Sequence, residues 1–159
     1  MRRLFTFIAF IVMFLNCTSI LAYDISFNGI HYNITSSEDK TVEVASYSDC
    51  SGNVVIPHEV SLNGSIYIVT GIGYGAFYGC SSLKDLDLSG FNTSNVTDMS
   101  EMFHNCSNLN EITFGEYFKT NNVTTINSMF NGCSKLTSLD VSGFDTSKVI
   151  NMGYMFLRL

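Results

Sequence analysis

The sequence "LKDLDLSGFNTSNVTDMSEMFHNC", residues 83–106, decides the fold, because its pattern of apolar and polar residues returns twice farther along the chain. Aligning Cys80, Cys106 and Cys133 gives separations of 26 and 27 residues. Self-similarity at such a period is the signature of a repeat architecture. One unit cannot bury its apolar face alone, so we expect successive units to stack on a shared core.

Nine columns of similar residues result from this alignment, one of them formed by the three cysteines. One extra residue in "FGEYF", residues 114–118, absorbs the difference in spacing. Because the columns recur at fixed positions, we predict that they face the core of the stack. The other eight columns are Leu83, Leu109 and Leu136; Leu86, Ile112 and Leu139; Leu88, Phe114 and Val141; Phe91, Phe118 and Phe144; Val96, Val123 and Val149; Met99, Ile126 and Met152; Met102, Met129 and Met155; and Phe103, Phe130 and Phe156.

The spacing within one unit predicts its secondary structure. Leu83, Leu86 and Leu88 form the L-x-x-L-x-L arrangement, whose second part alternates like a half-buried strand. The apolar residues of 96–103 lie three, three and one apart, which places them on one face of a short helical return. The fold class predicted is therefore an α/β-type repeat solenoid with short parallel strands and short helical returns.

Upstream of the repeats, the sequence predicts a β cap. "ISFNGIHYNI" alternates apolar and polar residues around Asn28-Gly29, which is a strong hairpin signal. Further short strands are predicted at 42–45, 54–56 and 66–69. A solenoid needs a terminus with a polar outer face, and these strands can supply it at the first repeat.

The repeat stretch "CSSLKDLDLSGFNTSNVTDMSEMFHNCSNL" and the upstream "VTGIGYGAFYGCSSL" resemble the BspA-type leucine-rich repeats of bacterial surface proteins. The "F-x-T-S-x-V-x-x-M-x-x-M-F" pattern is similar to the variant found also in mycoplasma-like lipoproteins. The resemblance implies a leucine-rich-repeat-like solenoid. It also implies a secreted or cell-surface protein that adheres to host matrix proteins, to other microbes or to host cells.

The N-terminus reads as a secretory signal. Arg2 and Arg3 precede an apolar run and a small residue at Ala22, as in a cleaved signal peptide. A transmembrane anchor is one alternative, and a lipoprotein with a lipidated Cys17 is another. We therefore predict a signal peptide at 1–22, a β cap with the first repeat turn at 23–79, and repeats at 80–159. No C-terminal cap is recognisable after Phe156, so we expect an uncapped or truncated array.

Charge and motifs restrict the function. The chain has 14 acidic and 8 basic residues, which argues against binding to nucleic acid or to anionic lipid. His104 lies two residues before Cys106, but its column positions in other units vary, so a thiol-imidazole pair is not predicted. The glycines of 71–75 open no dinucleotide-binding unit. We predict no enzymatic activity and no cofactor.

The cysteines leave two readings open. Five cysteines in an exported chain raise the question of disulfides. Because Cys80, Cys106 and Cys133 share a column, we predict buried thiols that pack as small apolar groups. A disulfide between Cys50 and Cys80 is the main alternative. No cysteine or histidine spacing indicates a zinc site, and no metal is predicted.

The outward side of the repeat strands is the candidate binding face. Repeat curvature typically makes this side a concave surface for extended partners. We predict a host or microbial surface protein as the partner, no membrane span after signal cleavage, and self-association through the open C-terminal end. The alternative is a structural spacer or truncated repeat fragment without its own ligand. The candidate face consists of Asp85, Asp87, Glu111, Thr113, Ser138 and Asp140.

Overall fold

A computed structural model of the chain describes residues 23–46 and 50–159. The predicted signal peptide at 1–22, with Cys17 inside it, lies outside the described residues. The strands are β1 Ile25–Phe27, β2 Ile30–Ser36, β3 Thr41–Val44, β4 Ser51–Val55, β5 Glu59–Leu62, β6 Ser65–Ile72, β7 Ser82–Leu88 and β8 Glu111–Phe114.

The first sheet forms the N-terminal part and has the order β1-β2-β3-β6-β5. The predicted hairpin at Asn28-Gly29 is confirmed, since β1 and β2 pair antiparallel and both turn residues have positive φ angles of 50° and 77°. A second hairpin joins β5 to β6 through Asn63-Gly64, with φ angles of 50° and 78°. This hairpin was not predicted, although it carries the same Asn-Gly signal.

The second sheet contains the repeat strands and has the order β4-β7-β8, with both pairs parallel. Leu86 on β7 lies opposite Ile112 on β8. Their side chains are 1% and 9% exposed, as the column predicts. β4 falls within the predicted cap yet pairs with β7, so it supplies the first strand of the repeat sheet. The boundary at residue 79 stays a prediction.

The predicted helical returns are not confirmed, because the described residues contain no helix and 100–105 forms turns. The N–H groups that a helix would use internally bond instead to the next unit. The donors are Met99, Glu101, Phe103 and Asn105, and the acceptors are the carbonyls of Thr125, Asn127, Met129 and Asn131, at 2.8–3.0 Å. The return is therefore held mainly between units, with short-range bonds such as His104 N–H to the Glu101 carbonyl inside one unit.

Two columns of left-handed residues explain why each return stays a turn. Glu101 and Asn105 have φ angles of 56° and 61°, and a right-handed helix cannot continue through such residues. Their equivalents in the other units also have positive φ. These equivalents are Gly75, Ser128 and Tyr154 for Glu101, and Gly79, Gly132 and Arg158 for Asn105.

The columns form the core through the first two repeat units and become less buried after that. Leu83 and Leu109 are fully buried, and Leu136 is 8% exposed. The predicted strand position of Leu139 is wrong, because 137–141 contains no strand and Leu139 is only partly buried. Because this segment does not pair with β8, its apolar side chains Leu139 and Val141 pack against the core but are only partly buried. Phe156, at the end of the last column, is 49% exposed.

At Cys80 the structure shows the alternative prediction, a disulfide with Cys50. Cys50 and Cys80 form a disulfide with a Cα–Cα distance of 5.5 Å, so the prediction of a buried thiol at Cys80 is wrong. The physical reason is the parallel pairing of β4 with β7, which places Ser51 opposite Ser82 and brings the preceding cysteines within bonding range. Sequence columns could not show this pairing.

The other two cysteines of the column are buried free thiols, as predicted. The Cys106 Sγ donates to the carbonyl of Phe77 at 3.0 Å, and the Cys133 Sγ donates to the carbonyl of Phe103 at 3.0 Å. Interaction with the Cys133 side chain, together with burial, raises the pKa of the Cys106 thiol. The two thiols therefore link successive units, and Cys106 stays protonated.

Candidate functional site

The strand face is the outward side of β4, β7 and β8, and its side chains form two rows across the sheet. The first row is Asn53, Asp85 and Glu111, and the second is Val55, Asp87 and Thr113. The rows follow from parallel register, because alternate residues of each strand point outward while Val54, Leu86 and Ile112 point inward. Four of the predicted site residues are thus brought together on one surface.

The remaining two predicted residues lie at the edge of this surface. Asp140 is exposed and lines a groove with Glu111 and Thr113. Ser138 is exposed but does not line that groove. Both belong to the segment that forms no strand, so they do not continue the two rows as the columns predicted.

Two residues of the strand face were missed by sequence reasoning. Val55 is 60% exposed and lies beside Asp87, while Asn53 lies beside Asp85. A partial signal was present, because "NVVI" at 53–56 matches the polar and apolar order of "DLDL" at 85–88 everywhere except at Val55, which stands where the later strand has Asp87. A search for a repeat at an offset of 32 residues would have found this first strand.

Two of the carboxylates are held in turns that keep them ionised. The Asp87 carboxylate accepts a hydrogen bond from the Ser89 N–H at 2.8 Å, and Asp140 accepts one from the Ser142 N–H at 2.9 Å. Hydrogen bonds from the Ser89 side chain and backbone lower the pKa of Asp87. The equivalent bonds from Ser142 lower the pKa of Asp140. Their negative charge therefore persists to lower pH than usual for aspartate.

Two shallow grooves run along this surface. One, of about 260 Å³, crosses β4, β7 and β8 between the two rows. The other, of about 490 Å³, lies beside β8 and is completed by residues 140–144. We call the second one the β8 groove. Carboxylates line both, which gives the surface a negative potential suited to a basic partner.

A separate polar cluster lies on the return side of the units. The Nδ1 atom of His104 lies 3.7 Å from a carboxylate oxygen of Glu101, and the Tyr78 ring meets the His104 ring edge-on at 5.0 Å. A hydrogen bond to Glu101 raises the pKa of Tyr74. The Cys106 thiol bonds to the Phe77 carbonyl and not to His104. This arrangement contains no nucleophile paired with a base.

Within residues 23–46 and 50–159, no three His, Cys, Asp or Glu side chains gather closely enough to hold a metal ion. No helix in the same ranges is long and apolar enough to cross a membrane. The strand face and its grooves are the candidate site.

Comparison with known proteins gives one family and two informative structures. The model of the family described as "Mycoplasma protein of unknown function, DUF285" matches residues 74–159. A leucine-rich repeat protein from Bacteroides ovatus has 28% sequence identity and a TM-score of 0.57, over 82% of this chain and 37% of that one. A leucine rich cell surface protein from Faecalibacterium prausnitzii has 20% identity and a TM-score of 0.51, over 80% of this chain and 32% of that one.

These matches confirm the resemblance to BspA-like leucine-rich repeat proteins. The chain spans about a third of the length of the two solved proteins. No curated protein matches it. The comparisons indicate no catalytic family, they favour a protein-binding surface module, and they do not favour the spacer alternative.

Proposed function

This chain belongs to the family described as Mycoplasma protein of unknown function, DUF285, and on that premise we propose that it is a secreted or surface-displayed module that binds proteins during adhesion. The observation that carries the proposal is the strand face. It combines ordered carboxylates on adjacent strands with an exposed apolar side chain at Val55. Such a mixture suits a basic surface segment of a host or microbial protein.

The cell-surface location is supported by the sequence and by one relative. The first 22 residues have the composition of a secretory signal. The Faecalibacterium protein with the same fold is described as a cell surface protein. This location and a strand face without catalytic groups both suit an adhesive role outside the cell.

A retention assay tests the function. Beads carrying the chain should retain solubilised extracellular matrix proteins or intact cells, and retention should fall as salt rises, because exposed charges are screened over about 10 Å at 0.1 M. The double variant Asp85→Asn with Asp87→Asn keeps side-chain shape and removes two charges from β7. Glu38→Gln with Asp39→Asn, in the exposed β2–β3 turn, removes the same charge elsewhere.

The expected result is lower retention for the β7 variant and unchanged retention for the turn variant. Equal losses from both variants would show that only net charge matters. Retention that neither variant changes would remove the strand face from the function.

Self-association is the second candidate, and the last described unit favours it. Its side chains Ile150, Tyr154 and Phe156 are 89%, 70% and 49% exposed. An apolar surface of this kind is typical of contact sites. Sedimentation equilibrium should then show a dimer that Ile150→Lys with Tyr154→Lys dissociates. A monomer at all concentrations would reject this candidate.

A further inference from the structure

The β8 groove exists because the second repeat unit, which contains β8, carries an extra residue. Residues 88–91, "LSGF", and 141–144, "VSGF", are four long, whereas 114–118, "FGEYF", has five. Gly115 allows the longer loop to pass against the first repeat unit, since a Cβ at Gly115 would collide with the backbone of Ser89. On the other side of β8, residues 137–141 form no strand. A groove of about 490 Å³ opens between β8 and residues 140–144.

Three phenylalanine rings form the apolar wall of the groove. The ring centroids of Phe114 and Phe118 are 4.5 Å apart, and those of Phe114 and Phe144 are 5.2 Å apart. Phe114 occupies the column of Leu88, which is fully buried, yet Phe114 itself is only partly buried. The ring therefore offers part of its surface to the groove and is not used entirely for the core.

Three exposed carboxylates surround this wall. Glu111, Glu116 and Asp140 all line the groove, whereas no lysine, arginine or histidine among residues 23–46 and 50–159 lines it. A negative groove attracts a cation, and an aromatic face attracts one further through its quadrupole. Of the two basic side chains, arginine fits both features, because its planar guanidinium stacks on aromatic rings and binds carboxylates with two hydrogen bonds.

Resting on the proposed function, we propose that the β8 groove takes an arginine side chain from an extended segment of the partner protein. The guanidinium group of that side chain stacks on Phe114 and Phe144, and its N–H groups donate to the carboxylates of the rim. The groove volume lies within the range of sites that hold a small ligand, so it has room for the side chain and its neighbouring backbone.

Peptide titration tests this proposal directly. The probe is an acetylated and amidated pentapeptide, Gly-Ser-Arg-Ser-Gly, added to the full ¹⁵N-labelled chain. The amides of Thr113, Gly115 and Gly143 should shift during the titration. A peptide with citrulline in place of arginine has the same shape without the charge, and it should bind at least about tenfold more weakly. Equal binding of the two peptides, or shifts confined to other regions, would overturn the proposal.

Variants of the wall and the rim identify the contacts. Phe114→Leu copies the column residue Leu88 and should weaken binding of the arginine peptide about three- to tenfold. Tyr117→Leu is the matched control, because Tyr117 is 53% exposed in the same loop but does not line the groove. Glu116→Gln changes an exposed side chain, so it should fold even if Phe114→Leu does not. Its effect measures how much the carboxylate charge contributes to peptide binding.

The outcomes separate this proposal from the proposed function. If Phe114→Leu and Glu116→Gln leave peptide binding unchanged, the groove assignment is wrong, while lower retention for the Asp85 and Asp87 double variant would still support the adhesive module. If the arginine peptide binds as expected but the chain retains no protein or cell, the groove is a cation site and the adhesive function fails.

Discussion

The Thr93 hydroxyl bonds to both backbone groups of Lys119, 26 residues farther along the chain. It donates to the Lys119 carbonyl at 2.7 Å and accepts from the Lys119 N–H at 2.6 Å. Thr93 is fully buried. Thr120, its equivalent in the next unit, donates to the Asp145 carbonyl at 3.0 Å. The threonine two residues after Phe91 and Phe118 therefore joins its unit to the following one.

Removing this hydroxyl should destabilise the stack. Thr93→Val keeps the shape of the side chain but leaves a buried N–H and carbonyl without their partner, which costs about 1–3 kcal/mol. Urea unfolding followed by circular dichroism gives the free energy of unfolding. Thr137→Val, at an exposed position, is the control and should change stability by less than about 0.5 kcal/mol. Equal effects at both positions would mean that the inter-unit bond contributes nothing.

Substitutions in one leucine column should lower the free energy of unfolding by different amounts in different units. Leu86 is 1% exposed on a paired strand, so Leu86→Ala should cost about 2–5 kcal/mol. Leu139 is only partly buried in an unpaired segment, so Leu139→Ala should cost clearly less, at about 1 kcal/mol. The same unfolding measurement compares them. If Leu139→Ala costs as much as Leu86→Ala, residues 137–141 pack as a regular strand.

Thiol labelling should separate the cysteines into two classes. In the native chain, Cys106 and Cys133 should not react, and denaturation without reductant should expose both. Cys50 and Cys80 should react only after reduction. Reduction should also lower stability by about 3–4 kcal/mol, the chain-entropy value for a loop of this length. Peptide mapping by mass spectrometry identifies each labelled site. A labelled Cys80 before reduction would contradict the disulfide.

The glycine that shapes the β8 groove should not tolerate a side chain. A Cβ at position 115 would meet the Ser89 backbone, which cannot move as a flexible side chain does, so Gly115→Ala should cost about 1–3 kcal/mol. Gly143→Ala is the matched control across the groove, because its Cβ would enter open space. That change should be neutral or slightly stabilising. Thermal unfolding of both variants gives the comparison.

Much of the fold could be predicted, because the columns and the Asn28-Gly29 hairpin depend on local patterns. The second hairpin was missed although β5 alternates polar and apolar residues, because this strand is only four residues long and buries one side chain fully, Val60. The helical return is not confirmed, because a spacing of three fits both a helix and a turn with left-handed residues such as Glu101. Hydrogen bonds between units decide between them, and these join residues about 26 positions apart.

The candidate site was predicted only in part. Strand alternation placed Asp85, Asp87, Glu111 and Thr113 on one face, because outward positions on paired strands share a surface. The β8 groove could not be predicted, since the column of Phe114 indicated a core residue. Its partial exposure depends on the longer loop and on the unpaired segment beside β8, which are tertiary features.

The last prediction concerns the pH dependence of binding. Because hydrogen bonds lower the pKa of Asp87 and Asp140, these carboxylates stay charged as pH falls through 3.8, the ordinary aspartate value. A lowered folded-state pKa contributes stability that is present above the unfolded value and lost as pH falls through the folded value. Charge-dependent binding should therefore persist to a lower pH in the native chain than in Ser89→Ala with Ser142→Ala, which removes the largest cause of both shifts.

Carbon-detected NMR titration of the two carboxyl groups measures the pKa values, and retention on a lysine-rich peptide column measures binding. Ser134→Ala with Ser147→Ala changes two exposed serines elsewhere and should leave the Asp87 and Asp140 titrations unmoved. Identical titration curves in the native chain and in the Ser89 and Ser142 variant would show that the turns do not hold the charge.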